Sequence, residues 1–275
     1  MRKRGRILAL LAAGFLVMGA GAAYGAQAGP GDGLIRTEDG RTERAEAPGE
    51  TEKETERAEE TAGESALPAV PEGLPDGDVL SDPAIAGDTD KIIVVRGQGG
   101  SSVRTAYYRA EDGAWGQVFE TSGVWGLNGC SADKVEGDKK TPTGVYRFNR
   151  AFGSLDDPGA VLPYHKVTAE DYWVDDPESR YYNRLVDASQ VEKDWDSAEH
   201  LVDVSPYYNY ALSLTYNEEA VPGKGSAIFL HCTAEGYPGS SGCICIPEPE
   251  MKLLLQQADE RTKIVILEGI GGRPG

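Results

Sequence analysis

His231 in SAIFLHC and Cys243 in GSSGCICIP, twelve positions apart, are the residues of this chain best suited to nucleophilic chemistry. A thiol attacks a carbonyl as its thiolate, so it needs a base to take its proton and hydrogen-bond donors for the oxyanion that forms. Both can be supplied nearby. His231 ends an apolar, strand-like run that would deliver its imidazole to the rim of a sheet, and Cys243 stands between a Gly/Ser-rich turn and a second apolar run. In the turn Ser240-Ser241-Gly242, consecutive backbone N–H groups can point to one side, and the glycine lets a substrate approach the backbone closely. On this reading Cys243 is expected to have a lowered thiolate pKa and to react fast with thiol reagents.

Residue types alone leave other uses open. Four cysteines, Cys130, Cys232, Cys243 and Cys245, could form two disulfides with three connectivities, giving a stapled, non-catalytic wall-binding module. His231, Cys232, Cys243 and Cys245 could hold zinc, but an adjacent His-Cys and a C-x-C step match the usual ligand spacings poorly, and no metal is expected. Cys243 and Cys245, two apart on a strand, would project to one face, which disfavours a bond between them and leaves Cys245 to packing or to Cys232. The remaining histidines, His165 in LPYHK and His200 in SAEHLV, have no evident catalytic partner nearby in sequence.

The elements that must position this pair read mainly as β structure. KIIVV, VRTAYYR, GQVFETSGVWG, TPTGVYRF, YNYALSLTYN, SAIFLHC and KIVILEG are β-branched or aromatic runs separated by Gly, Pro, Asn and Asp, with a turn at Asp112-Gly113. Only PEPEMKLLLQQADE, directly after the Cys243 segment, carries a helical pattern: Glu248 and Glu250 open it, and Met251, Leu254 and Leu255 make its apolar stripe.

Before these runs the texture differs. MRKRGR followed by an apolar run and an A-x-A site at Ala26–Ala28 reads as a signal peptide over 1–28, or as an uncleaved anchor that would tether the chain to a membrane. Residues 29–88 hold 17 acidic and 5 basic residues and few aromatic or β-branched ones, which predicts a disordered acidic spacer. The working domain is then expected over 89–275. The chain's net charge of -18 resides largely in the spacer, which carries -12. Without a basic stripe in the domain, no nucleic-acid partner is expected.

SAIFLHC with GSSGCICIPEPEM resembles the active-site segment of the YkuD-like L,D-transpeptidase family, and GDKKTPTGVYRF resembles that family's upstream strand segment. DYWVDDPESRYYN and WDSAEHL are similar to its exported bacterial branch, so the resemblance runs from about Lys91 to Gly269. It implies a β-sandwich-like catalytic domain with a helix after the nucleophile, working without a cofactor outside the cytoplasm, at the cell wall or the outer face of the membrane. Its expected partners are peptidoglycan stem peptides, and a monomer is expected. Cys243 would attack a stem tetrapeptide, release D-Ala and pass the acyl group to a neighbouring stem amine. His231 would be the base, the Cys232 backbone carbonyl would orient it, and the Gly242 and Cys243 N–H groups would bind the oxyanion. Many members have a second histidine where this chain has Ser241, and Arg or Asn where it has Cys245, a departure compatible with water as acceptor and thus L,D-carboxypeptidase activity. Position before the nucleophile makes Tyr237, Ser240 and Ser241 candidate substrate contacts, and the acids of DYWVDD could favour an acceptor amine.

Overall fold

β-Branched runs build ten strands into one large sheet. The computed structural model describes residues 75–269. In chain order its strands are β1 Lys91–Gly99, β2 Ser102–Glu111, β3 Ala114–Val124, β4 Cys130–Ser131, β5 Thr141–Pro142, β6 Gly144–Tyr146, β7 Phe148–Gly153 and β8 Tyr164–Lys166. They continue with β9 Asp171–Val174, β10 Arg184–Asp187, β11 Ala198–His200, β12 Ala211–Leu214, β13 Phe229–Cys232, β14 Ile244–Ile246 and β15 Lys263–Leu267. Ten of them form a sheet in the order β6-β15-β1-β2-β3-β14-β13-β12-β7-β8, while β10-β9-β11 form a small second sheet. The β2–β3 hairpin closes through Asp112-Gly113, both at positive φ (51° and 79°), the two-residue turn that suits the right-handed twist of the strands.

Strand alternation sorts the side chains into two layers. Ile93, Val95, Tyr107, Phe148, Leu212, Leu230, Ile244 and Ile246 share one core although they come from strands far apart in the sheet order, so the sheet folds over its own contents in sandwich fashion. The helix α3, Glu248–Leu255, closes that core with Met251, Leu254 and Leu255, each at most 1 % exposed. Burial of this kind contributes roughly 1.5–3 kcal/mol per side chain. The fold is therefore mainly β and sandwich-like, with the helix directly after the Cys243 segment.

The domain begins earlier than its composition suggests. The expected leader, and the spacer as far as residue 74, lie outside the described residues, but residues 75–88 pack on the domain as the helices α1, Asp76–Ser81, and α2, Pro83–Ala86. Val79 and Ile85 cover the outer face of β1 and β15 against Ile92, Val94 and Val265. Asp76 accepts hydrogen bonds from Arg96 Nη2 (2.8 Å), Arg104 Nη1 (2.6 Å) and Tyr108 Oη (2.8 Å). Burial alone would raise its carboxyl, but these three donors hold it below the ordinary carboxylate value. Local composition makes this stretch read as part of a disordered acidic spacer because it gives no sign of the two arginines on β1 and β2 that Asp76 meets. Asp76→Ala is expected to lower unfolding free energy by on the order of 2–4 kcal/mol at neutral pH, since it strips partners from partly buried arginines. Denaturant titration of the pair checks it.

Candidate active site

Cys243 and His231 reach one site because β13 and β14 run parallel and adjacent. Their register pairs Leu230 with Ile244, His231 with Cys245 and Cys232 with Ile246. Leu230, Cys232, Ile244 and Ile246 therefore face the central core, while Phe229, Cys243 and Cys245 lie with the aromatic layer on the opposite face. Cys232 and Cys245 thus stand on opposite faces of neighbouring strands, which rules out a disulfide between them and a joint zinc site. Among the described residues, which include all four cysteines, no disulfide is formed.

The segment Thr233–Gly242 carries the chain back from β13 to β14, and its last residues are pinned. Ser240 exchanges backbone hydrogen bonds with Trp125 and Leu127, both 2.9 Å. Thr141 Oγ1 donates to the Gly242 carbonyl (2.8 Å) and accepts from the Gly126 N–H (2.9 Å). The TPTG motif therefore has a physical role: its first threonine ties the turn before Cys243 to the strand leaving β3. Gly242 has a φ of 151°, and a Cβ there would come within 3.0 Å of the Lys140 carbonyl oxygen and Ile228 Cδ1, so glycine is required by both backbone and space.

A cavity of about 510 Å³ opens beside the turn, lined among others by His231, Cys243, Ser240, Ser241, Tyr237 and Glu199. His231 is 3 % exposed, and its Nδ1 lies 2.7 Å from the Cys232 carbonyl oxygen. In the neutral ring that contact puts the proton on Nδ1 and leaves Nε2 as the basic nitrogen. Burial pushes the imidazole down to about 4, against the stabilising effect of the Cys232 and Tyr207 carbonyls on its charged form. The nearest thiol contact of Nε2 is Cys245 Sγ at 3.4 Å. Cys243 Sγ instead donates to the Ala227 carbonyl (3.2 Å) and accepts from the Phe229 N–H (3.4 Å).

The expected low thiolate pKa of Cys243 is not met in this arrangement. Burial pushes the thiol well up, the charge of Glu199 adds to that, and the Phe229 N–H, Lys134 and Tyr208 oppose it only in part. What stands ready is a neutral thiol and a neutral imidazole opening on one cavity, so slow labelling of the free protein follows.

The other expected residues divide. Tyr237 and Ser241 line the cavity, and the Tyr237 ring packs on Tyr207 with centroids 4.4 Å apart. Ser240 also lines it, but its hydroxyl is used within the turn, donating to the Cys243 carbonyl (2.6 Å) and accepting from the Gly242 N–H (3.0 Å). The Gly242 N–H is therefore engaged with Ser240 rather than held open for an oxyanion, whereas the Cys243 N–H takes part in no turn or loop bond. His165 binds Asp171 (2.9 Å), and His200 lies between Asp203 (2.7 Å) and the Ala169 carbonyl (2.8 Å), which gives both rings structural roles.

A family model, the YkuD L,D-transpeptidase catalytic domain, matches residues 90–266. The chain belongs to this family. Among solved structures it is similar to Bd1075 of Bdellovibrio bacteriovorus, with 15 % identity over 67 % of this chain and 50 % of that one and a TM-score of 0.37. It is also similar to an Enterococcus faecium L,D-transpeptidase mutant, with 15 % identity, 65 % and 50 % coverage and a TM-score of 0.31. A Stackebrandtia nassauensis L,D-transpeptidase gives 16 % identity, 68 % and 58 % coverage and a TM-score of 0.30. The chain spans about half the length of the first two of these proteins. No curated protein matches it.

Sequence reasoning missed the far wall of this L,D-transpeptidase-family cavity. Glu199, Asp175, Glu136 and Tyr208 line it from four separate segments. Asp175, within DYWVDD, and Tyr208, as an aromatic that could line a substrate groove, are open to sequence reading, whereas no local pattern announces that Glu199 on β11 and Glu136 converge on Cys243.

Proposed function

We propose that the chain is an exported peptidoglycan L,D-transpeptidase with Cys243 as nucleophile and His231 as base. The observation that carries this reading is that both side chains open onto one cavity while the Cys232 carbonyl fixes which imidazole nitrogen is basic. Sγ attacks the carbonyl carbon of the third residue of a stem tetrapeptide, and its proton passes to Nε2, for which a bound substrate must draw the thiol away from the Ala227 carbonyl. The oxyanion takes the Cys243 N–H, joined by the Gly242 N–H once the Ser240 hydroxyl turns aside. Collapse expels D-Ala, whose nitrogen takes the proton from the imidazolium, and leaves a thioester on Cys243. The amine of a neighbouring stem then attacks the thioester, forms the cross-link and restores the thiol. These steps call for no metal or cofactor.

Tyr237 and Ser241 are the substrate contacts of this reading, at the cavity wall nearest the turn. The basic and apolar start of the chain would export the enzyme to the wall, and the acidic spacer would give it reach. A protein begun no later than Pro75, so that α1 and α2 are kept, is incubated with disaccharide tetrapeptides and the products are weighed by mass spectrometry. Release of D-Ala with joined stems is the expected result. D-Ala without joining would make the enzyme an L,D-carboxypeptidase on the same site. No release, with the cysteines found paired, would replace catalysis by the disulfide-stapled module.

A further inference from the structure

The cavity wall facing Cys243 holds a carboxylate that the steps above do not use. Glu199 sits on β11, and its Oε2 accepts the Tyr208 hydroxyl at 2.5 Å. Tyr208 is 3 % exposed, stands edge-on to the His231 ring (centroids 5.0 Å apart, 76° between planes), and packs in the same buried layer as Cys243. One tyrosine therefore touches the base and this carboxylate in the layer that holds the nucleophile. Oε1 of Glu199 has no hydrogen-bond partner among the described residues and is left to whatever enters the cavity. Asp175 lines the same wall, and its Oδ1 is buried without a donor.

We propose that Glu199, held by Tyr208, binds the acceptor amine and takes its proton as it attacks the acyl-enzyme. The proposal rests on the cysteine acyl-transfer reading and names the acceptor as a primary ammonium group. An ammonium gives the open Glu199 oxygen a donor and is attracted by Asp175 and Glu136 beside it, whereas an anionic acceptor would meet Glu199, Asp175 and Glu136 together. Burial raises the Glu199 carboxyl to about 7, opposed by the Tyr208 hydrogen bond and reinforced by Asp175 and Glu136, which suits a group that exchanges a proton near neutrality. The balance is complete. The ammonium gives one proton to Glu199, the nitrogen forms a bond to the thioester carbon, and the C–Sγ bond breaks. The second nitrogen proton returns to Sγ through His231, and Glu199 then releases its own to solvent.

The test acylates Cys243 with p-nitrophenyl acetate, which does not depend on the natural donor, and follows loss of the acetyl thioester by intact mass. Nα-acetyl-lysine methylamide is the acceptor, with water as its competitor. Glu199→Gln keeps an oxygen for Tyr208 but loses the charge, and is expected to lower the amine-to-water partition ratio about a hundredfold, with Glu199→Asp recovering part of it. A ratio within twofold of wild type, or no acceleration by the amine in wild type, would overturn the proposal. A second measurement needs no acyl-enzyme. In protein labelled with ¹³C at glutamate carboxyls, the resonance missing from Glu199→Gln should titrate at lower pH when the lysine amide is added, and an unmoved midpoint would also refute it. If acetate is transferred to the amine but stem tetrapeptides never acylate Cys243, the transpeptidase reading fails while this assignment stands.

Discussion

Cys243→Ala is expected to abolish thioester formation with stem tetrapeptides and to lower D-Ala release at least about ten-thousandfold, the scale on which nucleophile deletions act in covalent catalysis. The comparison that gives this result its meaning is Cys245→Ala. Cys245 is fully buried and is the thiol in contact with Nε2, so contact with the imidazole alone would choose the wrong cysteine. Cys243 is the thiol that lines the cavity, and a substrate carbonyl can reach only that one. Cys245→Ala should therefore still form the thioester, at a stability cost of about 1–3 kcal/mol for the small void. Intact-mass measurement of the acyl-enzyme in both variants decides the matter. A thioester in Cys243→Ala, or its loss in Cys245→Ala with the fold retained, would reverse the assignment.

The second large effect concerns His231 and pH. Its folded-state value of about 4 lies below the ordinary histidine value of 6.5, so between these two the unfolded chain binds the proton and the folded chain does not. The stability that depends on a neutral His231 is thus present above about pH 6.5 and is lost as pH falls toward 4, by on the order of 3 kcal/mol. His231→Gln is expected to remove that contribution from the stability profile and to lower thioester formation by about a hundredfold or more at neutral pH. Denaturant melts from pH 4 to 7 test the first effect, and the acylation rate tests the second. Because the raised Glu199 carboxyl contributes with the opposite sign in both proteins, the difference between the two profiles is the readout. A difference that does not change from pH 4 to 7 would show that the imidazole is less enclosed than its packing indicates.

The nucleophile segment was legible because its chemistry is local. An apolar run ending in histidine, a Gly/Ser turn and a cysteine before another apolar run fix strand, turn and strand without reference to the rest of the chain. The Asp112-Gly113 hairpin and the α3 stripe were legible for the same reason. What stayed hidden depends on convergence. Asp76 is one acid among many in sequence and becomes an anchor only where Arg96 and Arg104 meet it. Glu199 carries no local mark, and its importance arises from Tyr208, which sits against His231 from another segment. The Ser240 hydroxyl shows the reverse case. Its place beside the nucleophile suggested a substrate contact, and the tight turn uses it internally instead.

The pinning of Gly239–Gly242 from outside also says where this family can vary in length. Gly239 has no room for a side chain, with Trp125 oxygen and Ser101 Cβ each 2.9 Å from a Cβ built there, and Ser240 is bonded to Trp125 and Leu127 on both sides. Thr233–Tyr237 has no such clamp beyond a bond from Thr233 to Ile246 and a local turn at Ala234–Tyr237. Residues inserted there would bulge outward at little entropic cost and leave His231 opposite Cys245. The number of residues between base and nucleophile is therefore a loose ruler. Strand register is the invariant by which a distant homologue's pair should be located.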